Sequence, residues 1–207
     1  MFSIDRPFGH VIARTSCPFP ELYQNETLAS TMDQAFAMEA VKNRRRGHYF
    51  DIMLGPCDSV EELQQFAPHN LKCAKGLFDW IRAAVIEALP SFGLSGSNVV
   101  IDRSAMNRMY KDCEGRCHRH MGYNVPGLEK TPDIVGIFYV EAGSSLFIVD
   151  RGEHGLLLND ILSDNKSELI TKTGDLLLHR PDAWHAIAKH TMDSPRTCFA
   201  FHISVID

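Results

Sequence analysis

From Asn98 to Val205 the chain is a succession of short segments rich in apolar and β-branched residues, each closed by Gly, Asp, Asn, Ser or Pro. Segments so short and so regularly punctuated leave no room for the crossover helices of βαβ units, and they predict a sandwich or barrel. The expected strands are Val99–Asp102, Ala105–Lys111, Arg116–Met121, Ile134–Glu141, Leu146–Arg151, Gly155–Leu158, Ser167–Thr171, Leu176–His179, His185–Lys189 and Cys198–Val205. Some of these are expected to merge, leaving about seven or eight.

The first half has a different period. Residues 1–26, with Pro7, Pro18 and Pro20, predict an irregular arm with one short strand around Val11–Ala13. Met32, Ala35, Phe36, Ala40 and Val41 lie at helical spacing between Ser30 and Lys42, and Gly47 stops that helix. A short strand is expected at Tyr49–Leu54, then a brief helix opened by the capping-box pair Ser59 and Glu62 and closed after Phe66 by Pro68. The clearest helix runs from Asn70 as N-cap to Leu89, with Leu71, Ala74, Leu77, Phe78, Ile81, Val85 and Leu89 on one stripe, read as core packing. Helices followed by strands make an α+β chain, and 207 residues suit one domain: a mainly helical part over 1–97 and a β part over 98–207. No internal repeat is visible.

Charge narrows the partners. With 21 basic and 26 acidic residues the net charge is −5, and no basic run is long enough to follow a phosphate backbone, so no nucleic-acid partner is expected. Arg44, Arg45 and Arg46 read as a solvated helix end. Met1–Pro20 lacks the unbroken apolar stretch of a signal peptide, and no apolar run reaches membrane-spanning length. Six cysteines without framework spacing complete the expectation of a reducing, cytoplasmic setting without membrane association.

The chemistry-bearing stretch is Gly115–Asn124, where His118 and His120 point to one face of an extended chain. A later stretch, Gly174–His190, runs from a Gly-Asp turn through Leu176, Leu177 and Leu178 to Pro181, Trp184 and His185, a third candidate ligand. Eleven residues further lies Arg196, whose fork of donors suits a carboxylate. The expected site is a metal held by His118, His120 and His185 beside an arginine anchor, with His120 and His185 as the catalytic pair. Competing readings are weaker. Histidines on strands are often structural, and His179 is read that way. Cys113, Cys117 and His118 have poor spacing for zinc, and Cys117 and His118 face opposite ways on a strand, which disfavours a cysteine nucleophile.

A helical first half, a paired-histidine strand, a Gly-Asp-apolar-Trp-His strand and Arg196 together resemble the iron(II)- and 2-oxoglutarate-dependent oxygenases over roughly Val99–Val205. The resemblance implies a double-stranded β-helix (jelly roll) with the N-terminal helical segment packed against it. It also implies Fe(II) as metal, 2-oxoglutarate as co-substrate, and dioxygen with a small, amino-acid-like metabolite as partners. The reaction would oxidise a C–H bond by hydroxylation, desaturation or cyclisation. Arg196 would hold the far carboxylate of 2-oxoglutarate, and Tyr110, ten residues before His120, would assist it. The family's ligating Asp or Glu has no counterpart: after His120 the position is Gly122, and after His118 it is His120. A His-x-Gly site resembles the radical halogenases of the same superfamily, with a halide in the vacant position; Asp112, Glu114 and Glu129 are loop alternatives. His-x-His with a later Gly-Asp and Pro-x-x-x-His also resembles the cupins, which include dioxygenases, isomerases and plain metal-binding proteins. They usually carry a glutamate that Met121–Leu128 lacks, and their pattern has no role for Arg196.

Overall fold

Two antiparallel sheets face each other, and from the third strand onward the chain crosses between them at nearly every connection. The computed structural model describes residues 1–38, 66–120, 131–150 and 166–207. Its strands are β1 (Ser3–Asp5), β2 (Ile12–Ser16), β3 (Asn98–Met109), β4 (Gly115–His118), β5 (Ile134–Glu141), β6 (Leu146–Val149), β7 (Lys166–Leu169), β8 (Asp175–His179), β9 (His185–Ile187) and β10 (Arg196–Ile206). Its α-helices are α1 (Glu26–Ala37) and α2 (Lys75–Ala88). The larger sheet has the order β1-β2-β8-β5-β10-β3 and the smaller β4-β9-β6-β7. This winding is a jelly roll, a form of the sandwich or barrel that the strand pattern predicts and the one that the family resemblance implies.

Alternation along β10 builds both layers of the core. Phe199, Phe201 and Ile203 face the helices, where Leu28, Met32 and Phe36 of α1 and Leu77, Phe78, Ile81 and Val85 of α2 meet them. Each such side chain contributes about 1.5 to 3 kcal/mol on burial. Cys198 faces the other way, joining Ile137, Tyr139, Leu146, Ile148 and Leu177 between the sheets. Gly174, at φ +87, makes the tight turn into β8, and the Tyr23 hydroxyl fills the space a Cβ would need.

Several expectations shift. The segments at 99–102 and 105–111 are one strand, because a bulge between Arg103 and Ile101 carries the pairing with β10 past Asp102. The arm contributes two strands rather than one, since β2 pairs with β8 and gives β1 an edge to join. The first helix starts earlier, at Glu26, because the Asn25 side chain accepts from the Leu28 amide at 2.8 Å. Asn70 is not the cap of the second: two 3-10 turns, Pro68–Asn70 and Lys72–Ala74, come first, and α2 begins at Lys75 without a side-chain cap. The first helix also ends earlier than Lys42 and Gly47, at Ala37, where Met38 turns to an extended conformation. The expectations for Tyr49–Leu54 and Gly155–Leu158 lie outside the described residues, as does nearly all of the helix expected over 59–66. No described helix is long and apolar enough to cross a membrane.

Candidate metal centre

Pairing of β4 with β9 places His118 directly opposite His185. β4 ends at His118, so His120 lies beyond the strand. Its amide is held by the Pro181 carbonyl at 2.8 Å, in the same turn that leads into His185. One turn therefore delivers His185 and fixes His120. The ligand-capable nitrogens of His118, His120 and His185 all lie within 4.8 Å of one another. Metal–imidazole bonds of about 2.0 to 2.1 Å span nitrogens up to about 4.2 Å apart, so small ring rotations close the site on an ion. Imidazole ligands suit iron, nickel, copper and zinc among the first-row metals.

Two further histidines surround these. His202 Nε2 lies 2.8 Å from His120 Nδ1, and the His179 ring centroid lies 4.7 Å from that of His185. His185 donates from Nδ1 to the Ala183 carbonyl at 3.0 Å, so in its neutral form Nε2 keeps the lone pair. His179 likewise donates from Nδ1 to the Arg180 carbonyl at 2.8 Å. Burial pushes His120 and His185 well below the ordinary histidine range, reinforced by neighbouring histidines. Burial also lowers His179 to about 4 and, with the Arg103 charge second, His202 to about 4. Neutral imidazoles are the form a metal binds.

A cavity between the sheets runs from this cluster to Arg196, bounded by Asn107, Ile137, Cys198 and Ala200. Arg196 is 1% exposed, its guanidinium lies 4.9 Å from the Tyr139 ring centroid, and its only polar neighbours among the described residues are the neutral Tyr139 hydroxyl and Cys198 thiol, neither in good hydrogen-bond geometry. The buried Tyr139 hydroxyl lies beside it, and burial pushes it up to about 12. A buried cation without an acceptor is costly, and here it faces a cavity that an anion can enter.

Of the expected site residues, the fold brings together His118, His120, His185 and Arg196 on one cavity. Tyr110 follows β3, is exposed, and is not part of the described lining. Sequence reasoning missed Tyr139 and His202. The signal for His202 was present: Arg196, Cys198, Ala200 and His202 alternate along one strand, and all four line the cavity. Gly122 and Glu129 lie outside the described residues. Asp112 pairs with Lys189 at 2.9 Å, and neither it nor Glu114 belongs to the histidine group.

No protein-family model matches the sequence, and no curated protein matches it either. Solved structures do. HygX from Streptomyces hygroscopicus, with nickel and 2-oxoglutarate bound, superposes with a TM-score of 0.59 at 12% identity, over 94% of this chain and 82% of that one. AviO1 from Streptomyces viridochromogenes Tue57 gives 0.59 at 12% identity, over 98% and 96%. A Pseudomonas putida prolyl-4-hydroxylase gives 0.54 at 13% identity, over 97% and 95%. At such identities the likeness establishes a shared fold, the one the sequence resemblance implied.

Proposed function

We propose that the chain is a non-haem iron(II)- and 2-oxoglutarate-dependent oxygenase acting on a C–H bond of a small, amino-acid-like metabolite. The observation that carries the reading is Arg196, a buried guanidinium without an anionic partner among the described residues, on the same cavity as three converging imidazoles. HygX, a structure of the same fold, holds nickel and 2-oxoglutarate.

In this reading His118, His120 and His185 would hold the iron, which, with two electrons drawn from 2-oxoglutarate, would activate dioxygen as the oxidant of a C–H bond. Each residue then has a task of its own. Arg196 receives the far carboxylate through paired, charge-assisted hydrogen bonds, and the Tyr139 hydroxyl is placed to add another. The carbonyl of Ala183 sets the His185 tautomer, and His202 accepts from His120 Nδ1, so both rings present Nε2 to the metal. Ile137, Leu146 and Ile187 keep the cavity dry, which strengthens every charge interaction within it. His118 as third ligand favours hydroxylation, desaturation or cyclisation over halogenation, since no vacant position is then needed for halide. The described cysteines are free thiols, which suits the cytoplasmic setting proposed here.

The test combines metal, co-substrate and halide. His185→Ala and His120→Ala are expected to lose iron, and undiminished iron in both overturns the assignment. Arg196→Ala is expected to weaken 2-oxoglutarate binding by about 2 to 5 kcal/mol, read from the visible charge-transfer band of the anaerobic iron complex. No band and no succinate from the native protein return the chain to the metal-binding cupin reading. Turnover that ignores chloride and collapses in His118→Ala supports three histidine ligands. A chloride-dependent product lost in Gly122→Asp supports the halogenase instead.

A further inference from the structure

One polar side chain of the cavity wall has no task in the oxygenase reading. Asn107 of β3 is 9% exposed, and its carboxamide oxygen is buried without a hydrogen-bond partner. A buried acceptor left unpaired costs the desolvation of its lone pairs. On the wall of a ligand cavity, the missing donor is one that a ligand can bring.

The bulge in β3 is what puts Asn107 there. Val99 and Ile101 face the helices, and unbroken alternation would send residue 107 the same way. The register shift that passes over Asp102 reverses the phase. Met106 then joins the helix-facing core, while Ala105 and Asn107 line the cavity with Ala200 and Cys198 opposite them on β10. His202, which meets the metal-site residue His120, lies two rungs away along β10. Ala105 and Ala200 form the rung between, two methyl groups where the rungs on either side carry longer side chains.

2-Oxoglutarate cannot be the missing donor. Its two carboxylates and its ketone accept hydrogen bonds and donate none. Nor does the wall supply one: Ala105, Ile137, Leu146 and Ala200 carry no donor. Arg196, one rung further along β10 and opposite Met109, does not bond Asn107. With Arg196 taken by the acid, the donor falls to the molecule that is oxidised.

We infer that this substrate carries a hydroxyl or amino group whose O–H or N–H donates to Asn107 Oδ1, with its carbon skeleton over Ala105 and Ala200 toward the metal. Asn107 is then a specificity-determining residue. The inference rests on the oxygenase reading for the metal and for excluding 2-oxoglutarate as donor; the place of Asn107 on the cavity does not depend on it.

Fluorine NMR relaxation tests this without knowing the substrate. The protein is loaded with Mn(II), saturated with 2-oxoglutarate, and mixed with 2-fluoroethanol, 2-fluoroethylamine or 1-fluoropropane, which has the same size and no donor. The alcohol or the amine is expected to relax about three- to tenfold more strongly than the alkane, the size of one hydrogen bond. Which of them responds tells hydroxyl from amino group. Asn107→Leu, with the same shape and no acceptor, should abolish the preference. Asn107→Asp, which keeps the oxygen, should retain it and strengthen the amine signal. Equal relaxation of all three compounds, no response from any, or a preference that survives Asn107→Leu overturns the proposal. Because Asn107→Leu removes an unpaired buried acceptor, the metal-free variant should unfold at the native temperature or above it. A lower temperature would show that the amide is structural and would also overturn the proposal. Water relaxation by the bound Mn(II) separates the two readings. It should fall when 2-oxoglutarate binds, in the native protein and in Asn107→Leu alike. A fall in the native protein alone would make Asn107 a co-substrate residue, against the proposal. No fall in the native protein would sink the co-substrate reading, while the fluorine comparison still reports on a donor at Asn107.

Discussion

At the scale of single residues, the proposed metal site leans on the contact between His120 and His202. Truncating His202 leaves the His120 Nδ1 proton facing a buried space without an acceptor. His202→Leu is therefore expected to lower metal affinity by about 10- to 100-fold, measured by competition with a chelator. His202→Asn, which returns an oxygen acceptor, should recover part of the loss. Equal affinity in native and His202→Leu proteins would show that His120 binds without this support.

At the scale of elements, β10 carries the molecule: it lies between β3 and β5, packs the helices with one face and lines the cavity with the other. That double duty depends on Gly136 of β5. It stands directly opposite Phe201, and a Cβ at residue 136 would overlap the Phe201 ring. Gly136→Ala is expected to destabilise the protein by about 1 to 3 kcal/mol through overpacking. Urea unfolding should show a lower midpoint with unchanged slope. Unchanged stability would mean that Phe201 has room to move. Because Ala200 and His202 flank Phe201 on the cavity face, the same variant is expected to weaken metal binding as well.

At the scale of the whole molecule, the histidine cluster ties stability to pH. His179 and His202 titrate near 4 in the folded protein, below the ordinary value of 6.5 that the unfolded chain has. Their contribution is thus full above pH 6.5 and is lost as pH falls toward 4, because the unfolded state takes up protons that the folded state refuses. Two such groups give a slope of about 2.7 kcal/mol per pH unit inside that window, and His120 and His185 shift in the same direction. Metal-free protein should show a markedly lower unfolding temperature at pH 5.5 than at pH 7.5. Bound metal should raise stability most at the higher pH, where protons compete least for the ligands. A flat profile over this range would contradict the burial of the cluster.

What the sequence determined by itself was whatever local pattern encodes. The short punctuated strands announced a sandwich or barrel, Ile134–Glu141 was legible to the residue as β5, and the stripe of Leu77, Phe78, Ile81 and Val85 announced the helix that covers the larger sheet. His118, His120, His185 and Arg196 were legible because each lies in a short stretch whose residue types suit a metal or an acid. Tertiary structure decided what depends on pairing between distant strands. The bulge at Asp102 turns Arg103 inward, and no local rule places it, because the shift exists only in register with β10. Tyr139 meets Arg196 only across the cavity wall that β5 and β10 build, where Tyr139 stands opposite Cys198. His202 reaches His120 only when β10 lies beneath the turn that follows β4. Periodicity tells a side chain which face of its own strand it occupies; only the packed sheets tell it what stands on the other side.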